Sequence, residues 1–305
     1  MTDALVSLPA SKASGPTVAI ALGGGGARGL AHIHVIEVLD ELGIRPVLIS
    51  GASIGAIMGA GLGDRDAAAA AVEEAMAAGM TGREIREHTL AAIGRPGRLV
   101  NRLWSLRPTR FSDMVAGGFR VGQFNLERVL GAFLPETLPE TFEDLSIPLK
   151  VIASDYYAQC ECVCDSGLLL PALAASAALP AVFRPVVIGD RVMIDGGLWN
   201  PVPFDHLAGK ADITIGVDVV GRPPAGTAEV PSGIDSLYGA TQLTMRSIVT
   251  LKLEKGPPDI FLRPEVGRFR VLDFVKAEEV LAASAGIRDE LKRALEEKFE
   301  ELSVL

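Results

Sequence analysis

Ser53 stands at the centre of Gly51-Ala52-Ser53-Ile54-Gly55, between a short β-like run at 46–49 and an apolar helix-like run at 54–62. A serine at a tight strand-to-helix turn has the geometry of a nucleophile elbow. The flanking glycines let the backbone bend sharply, and the small Ala52 and Ala56 leave the hydroxyl accessible. Such a hydroxyl is a poor nucleophile until a neighbouring group takes its proton. The chain has four histidines, His32, His34, His88 and His206, and none stands in a recognisable catalytic context. His32 and His34 fall early in a predicted helix and read as packing or capping residues. Asp195, by contrast, ends a predicted strand and is followed by Gly196-Gly197. Strand ends are where α/β sheets collect their functional groups. Asp-Gly-Gly is also an ordinary turn sequence, and a carboxyl with its usual pKa of about 4 is a weak base. Apolar surroundings that raise that value are what would let Ser53 and Asp195 act as a dyad.

A second candidate lies upstream, in Gly23-Gly24-Gly25-Gly26-Ala27-Arg28-Gly29. It contains the dinucleotide spacing Gly24-x-Gly26-x-x-Gly29, and such a loop aims backbone N–H groups at a negative ligand. The acidic ribose ligand expected about 20 residues on is absent; Ser50-Gly51-Ala52-Ser53 occupies that position. The same amide array would serve as an oxyanion hole for a tetrahedral acyl intermediate. The neighbouring serine favours that use over nucleotide binding.

These groups need a scaffold that brings residues 24, 53 and 195 together. Strand-like runs at 17–22 and 46–49 alternate with helical spacing at 30–42 and 54–62. That alternation predicts a parallel sheet covered by helices on both faces. Further on, the pattern predicts helices at 125–133, 170–179 and 238–254 and strands at 149–153, 159–164 and 213–219. A hairpin is predicted from 186–188 and 191–194 around Gly189-Asp190. A flexible connector is expected at 223–233, and a charged amphipathic C-terminal helix at 277–302, interrupted at Gly286. Residues 1–16 read as a disordered leader and 17–305 as a single domain. A basic-apolar insertion occupies 81–122, with eight arginines against three acids. Its two readings are a lid or membrane-docking element and an ordinary helical cover.

The formal charge of −9 argues against a general nucleic-acid or anionic-membrane binder, since both rely on cationic attraction. No apolar run reaches the length that spans a bilayer, and nothing resembles a secretory signal. Cys160, Cys162 and Cys164 alternate, so a strand places them on one face, where they line up rather than surround an ion. They read as small buried apolar residues, neither metal ligands nor disulfides, and a cytoplasmic protein is expected.

Taken in order, Gly24-Gly25-Gly26-Ala27-Arg28-Gly29, Gly51-Ala52-Ser53-Ile54-Gly55 and Asp195-Gly196-Gly197 resemble the patatin-like phospholipase family, specifically its compact bacterial members. The stretch from Ala174 through Ser176 and Pro180 to Pro185 resembles the segment preceding that family's aspartate, and Asn200 and Pro203 fall where the family commonly has Asn and Pro. The likeness covers roughly residues 17–219. His34 departs from it, standing where a small residue is more usual. The resemblance implies a three-layer α/β/α sandwich with a mainly parallel sheet and a Ser–Asp dyad hydrolase. Ser53 would attack the ester carbonyl, Asp195 would accept its proton, and Gly24, Gly25 and Gly26 would supply the oxyanion hole, with Arg28 in support. It implies no metal and no organic cofactor. The substrates would be phospholipid, lysophospholipid or another fatty-acyl ester, met by transient contact with a membrane surface. A catalytically weak lipid-binding or regulatory protein on the same fold is the alternative.

Overall fold

The computed structural model describes residues 15–63, 125–134, 138–222, 230 and 233–303. The insertion expected at 81–122 lies outside these residues, as does the leader except for the exposed Gly15 and Pro16.

The first strand, β1 (Val18–Leu22), is buried along its whole length. A 3-10 turn (Gly26–Ala31) follows and leads into α1 (His32–Glu41), so the helix expected from residue 30 begins with a tighter turn. Next come β2 (Leu48–Ala52) and α2 (Ile54–Gly63). The described chain resumes with α3 (Leu126–Phe133), β3 (Leu149–Asp155), β4 (Cys160–Cys164) and α4 (Leu169–Ser176). The hairpin β5 (Val186–Ile188) and β6 (Arg191–Asp195) precedes β7 (Ile213–Val217), α5 (Gly233–Lys255) and β8 (Ile260–Leu262). Helices α6 (Ala277–Ser284) and α7 (Ile287–Ser303) close the chain, parted at Ala285-Gly286 as expected.

Strands β3, β2, β1, β7 and β8 are parallel neighbours in that order; β4, β5 and β6 are antiparallel additions. The fold is therefore α/β with a mixed, mainly parallel sheet, as expected. Along β1 the side chains alternate between two cores. Val18, Ile20 and Leu22 join a large cluster with residues of α1, α2, α4, α6 and α7. Ala19 and Ala21 face a second cluster with Val202, Phe204, Leu207 and the α5 residue Val249. A strand buried on both faces reads as a continuous apolar run, which is why 17–22 was legible.

The register of β3 sets the site. β2 pairs with β3 from Ile49↔Leu149 to Ala52↔Ile152, and β6 pairs with it from Ala153↔Asp195 to Asp155↔Met193. β4 runs alongside β3 over all of Val151 to Asp155. A strand has two edges and β4 occupies one, so β2 and β6 share the other in succession. The C-terminal ends of two strands running in opposite directions thus meet head to head.

The cysteines fall on one face of β4 as expected. Cys162 and Cys164 lie 3.9 Å apart (Sγ to Sγ), and the Arg191 guanidinium donates to Cys162 at 3.3 Å. Burial and the neighbouring Cys162 push the Cys164 thiol up to about 12.

Candidate active site

Ser53 begins where β2 stops, and its backbone is left-handed, with φ 54°. That region is unfavourable for a residue with a Cβ and marks a strained turn held by its surroundings. Gly55 is required by close approach: a Cβ there would lie 2.0 Å from the carbonyl oxygen of Leu22 on β1. The turn is thereby pressed against the sheet, and α2 departs from it with Ala56 N–H donating to Ser53 O at 3.0 Å. Ser53 is buried, as is the whole of β2 before it.

Asp195 ends β6 and meets the serine directly. Ser53 Oγ donates to Asp195 Oδ2 at 2.7 Å. The other carboxylate oxygen, Oδ1, accepts from Gly197 N–H at 2.8 Å. Burial pushes the Asp195 carboxyl up to about 6, against the opposing effect of the hydrogen bonds from Ser53 and Gly197. An ionised carboxylate in this position is a stronger base than one in water, because desolvation disfavours the charged form. The arrangement can take a proton from the serine hydroxyl without a histidine. Among the described histidines, His34 bonds to Leu281 O, His206 to Glu161 and His32 to Gly23 O.

The glycine loop lies over this pair. A Cβ built on Gly24 would be 3.3 Å from Ser53 Cβ and 3.7 Å from Gly197 Cα, so Gly24 sits between the two turns. Its own amide donates to Pro201 O at 2.9 Å, and Gly23 donates to Val217 O at 3.0 Å. The next amide to find a protein acceptor is that of Ala27, on Val271 O. The N–H groups of Gly25 and Gly26 have no acceptor among the described residues. Arg28 is buried beneath the loop and its Nε donates to Gly25 O at 3.2 Å. Burial pushes its pKa down to about 10, opposed by the charges of Asp218 and Asp273. His32 is fully buried and held well below the usual histidine range, at about 4, by desolvation. Among the described residues no cluster of three or more His, Cys, Asp or Glu side chains is placed to hold a metal ion.

One relationship was not anticipated from the sequence: the helix expected at 238–254, α5, braces the glycine loop and the aspartate turn with the residues that follow it. With its side-chain amide oxygen facing the guanidinium, Gln242 accepts from Arg28. The Met245 methyl lies 3.1 Å from where a Gly197 Cβ would stand. Lys252 donates to Asn200 Oδ1, to Val202 O at 2.8 Å and to Asp205 Oδ1 at 2.5 Å, and lies 4.5 Å from the centroid of the Phe204 ring. Residues 242, 245, 249 and 252 follow helical spacing, which the sequence displays. The mixture of Gln, Met, Val and Lys on that face gave no apolar stripe by which to recognise it.

The Patatin-like phospholipase family profile matches residues 20–208, spanning the glycine loop, the serine turn and the aspartate turn. The chain belongs to the patatin-like phospholipase family. An uncharacterized NTE family protein of Mycobacterium tuberculosis is 36% identical over 71% of this chain and 53% of its own length. The Lysophospholipase NTE1 of Kluyveromyces lactis is 24% identical over 94% of this chain and 20% of its length. The Neuropathy target esterase sws of Drosophila melanogaster is 28% identical over 68% of the chain and 13% of its length. The chain thus spans about half the length of the mycobacterial relative and a smaller part of the eukaryotic ones. Among solved structures, VipD from Legionella pneumophila aligns with a TM-score of 0.43 at 14% identity, covering 90% of this chain and 67% of that one. Among the described residues no helix is long and apolar enough to cross a membrane.

Proposed function

We propose that this patatin-like protein is a serine acyl-ester hydrolase acting through an acyl-enzyme on phospholipid, lysophospholipid or related fatty-acyl esters. The observation that carries the proposal is the 2.7 Å hydrogen bond from Ser53 Oγ to a buried carboxylate whose pKa is raised to about 6. Ser53 Oγ attacks the ester carbonyl carbon while its proton passes to Asp195 Oδ2. The tetrahedral intermediate collapses, the C–O bond to the alcohol breaks, and Asp195 returns the proton to the leaving oxygen. Water then enters, gives a proton to Asp195 and attacks the acyl carbon, releasing the fatty acid and restoring Ser53. The developing oxyanion is met by the amides of Gly25 and Gly26. Gly24 serves differently from its neighbours: its amide is committed to Pro201 O, and its lack of a side chain keeps space beside Ser53 open. Arg28 acts through Gly25 O, holding the loop. The names of the relatives, a lysophospholipase and an esterase, support the lipid-ester class. The proposed setting is the cytoplasmic compartment, with lipid esters met by transient contact with a membrane surface.

The test is labelling of purified, folded protein by a fluorophosphonate probe, with Ser53→Ala and Asp195→Ala beside wild type, followed by a lipid-ester screen. Labelling of wild type, abolished in the first variant and strongly slowed in the second, is the expected result. Failure of folded wild type to label, with and without vesicles, overturns the proposal in favour of a lipid-binding protein without turnover.

A further inference from the structure

The stretch around Ser176 drew notice in the sequence but has no part in the proposed chemistry. In the structure its residues touch the backbone of both members of the Ser53–Asp195 pair. Ser53 N–H donates to Ser176 Oγ at 2.8 Å, and Ser176 Oγ–H donates to Ile152 O at 2.5 Å. Two residues on, Ala178 O accepts from Asp195 N–H at 3.1 Å. The site of attachment on β3 is the junction where β2 gives way to β6, because Ile152 pairs with Ala52 and Ala153 with Asp195. Ile152 O is also the atom against which Gly196 is packed: a Cβ on Gly196 would lie 1.8 Å from it. Helix α4 ends at Ser176, ahead of the residue-179 end that the sequence suggests, and this early end leaves the hydroxyl and the Ala178 carbonyl free to make these bonds.

We propose that Ser176 is a positioning residue: its hydroxyl fixes the strained Ser53 backbone to the same point of β3 from which the Asp195 turn is suspended. The proposal rests on Ser53 and Asp195 being the reacting pair. Three facts favour a hydroxyl here over a small apolar residue. Ser176 is fully buried, so no water replaces its bonds. Its oxygen accepts one hydrogen bond and donates another, using the one donor that a serine has. The residue it holds has φ 54°, a conformation that persists only where its surroundings over-determine it. Without the hydroxyl, Ser53 N–H and Ile152 O lose a shared partner inside the protein, and the elbow is free to relax away from its left-handed geometry. Relaxation of that kind moves Ser53 Oγ relative to Asp195 Oδ2 and to the oxyanion amides while leaving the substrate-contacting surface in place. Misplacement by about 1 Å costs on the order of 100-fold in rate.

The experiment compares wild type with Ser176→Ala, Ser176→Cys and Ser284→Ala. Ser284 is an equally buried serine on α6, bonded to Val280 O, and serves as a control for loss of a buried hydroxyl. Turnover of a soluble short-chain ester and the rate of fluorophosphonate inactivation are measured together with the thermal midpoint. Ser176→Ala is expected to lower kcat and the inactivation rate by about 10- to 100-fold with KM within about twofold of wild type. Ser284→Ala is expected to keep wild-type kcat at a comparable loss of thermal midpoint. Ser176→Cys keeps a weak donor and acceptor in a slightly larger side chain, and an intermediate rate is expected; if the alanine variant fails to fold, this variant decides. Wild-type kcat in folded Ser176→Ala, or in Ser176→Cys where that variant decides, overturns the inference, as does an equal loss of kcat in Ser284→Ala. Failure of wild type itself to label overturns the hydrolase reading instead, so the two failures are distinct.

Discussion

Ala52 and Asp195 face consecutive residues on one edge of β3, Ala52 opposite Ile152 and Asp195 opposite Ala153. The two strands that carry them run in opposite directions, so the residue following Ala52 and the last residue of β6 converge. This is how a serine and an aspartate separated by 142 positions come to share a 2.7 Å hydrogen bond. The dyad is therefore a property of the sheet's register. A slip of one residue at either pairing would turn the affected side chain to the opposite face of the sheet.

The first expected consequence concerns the pH dependence of the rate. In the proposed mechanism Asp195 must be ionised to accept the Ser53 proton, and burial pushes its pKa up to about 6. The rate constant for fluorophosphonate inactivation should be level above that pH and fall by about tenfold per unit below it. A histidine base would give a similar limb; among the described histidines, His206 and His34 are hydrogen-bonded elsewhere and His32 is held at about 4. His206→Ala should therefore leave the midpoint of the limb in place. A limb that moves or disappears in that variant would show that Asp195 is not the base.

Two glycines of α2 are expected to respond in opposite senses to the same substitution. At Gly55 an added Cβ would meet Leu22 O at 2.0 Å, so the helix must shift away from β1. Gly55→Ala should lose about 1–3 kcal/mol of stability and most of the labelling by fluorophosphonate. At Gly61 nothing lies within 4 Å of the added atom, and the position is an exposed helical one. Gly61→Ala should gain about 0.5–1 kcal/mol with activity unchanged. Denaturant titration of the two variants checks both. Equal effects would mean that close packing on β1 does not hold the elbow.

Much of this candidate site could be read before the fold was known, and the reason is local. Ser53, the glycines around it and Asp195-Gly196-Gly197 each need a particular backbone turn, and turns of that kind restrict residue type within a few positions. The runs at 17–22 and 213–219 were legible as strands because burial on both faces demands continuous apolar side chains. What escaped depends on contacts made across the fold. Residues 260–262 form a strand only three residues long, too short to show a period. Gln242, Met245 and Lys252 matter through what they touch, and a partner such as Arg28 or Asn200 lies far away in sequence. The start of α5 fell within residues read as a flexible connector, since Gly233 gives no helical signal alone. Gly24 resembles Gly25 and Gly26 in sequence; only the Pro201 carbonyl separates its amide from theirs.

Lys252 offers a test of the brace formed by α5. Its ammonium group holds Asn200 Oδ1, Val202 O and Asp205 Oδ1, and the residue between the first two, Pro201, accepts the Gly24 amide. Burial lowers its pKa, opposed by Asp205 and Glu161. Lys252→Met keeps much of the stem's packing and leaves those acceptors without their donor. A loss of about 1–3 kcal/mol is expected, since Asp205 is partly exposed and can regain water. The glycine loop should loosen with it, lowering kcat more than it raises KM. Unchanged kcat in a destabilised variant would confine Lys252 to a role in stability.

Asp195 and His32 should oppose one another in the pH dependence of stability. The folded pKa of Asp195 is raised from 3.8 to about 6, so between these values the folded state holds more protons than the unfolded state. This group's contribution therefore becomes more favourable as pH falls through that window. The folded pKa of His32 is lowered from 6.5 to about 4, so the unfolded state holds more protons there, and its contribution becomes less favourable over nearly the same range. Each effect is on the order of 3 kcal/mol when fully developed. Asp195→Asn offers Ser53 Oγ an amide donor in place of the carboxylate acceptor, keeps an acceptor for Gly197 N–H and removes the buried charge. Relative to wild type it should be inactive and more stable at pH 8, with the gain vanishing by about pH 4. His32→Gln keeps a donor for Gly23 O, and its stability relative to wild type should improve as pH falls from 7 to 4. Urea titrations at pH 4, 6 and 8 distinguish the two trends. Parallel trends in the two variants would mean that one of these side chains carries the opposite charge state from the one its burial dictates.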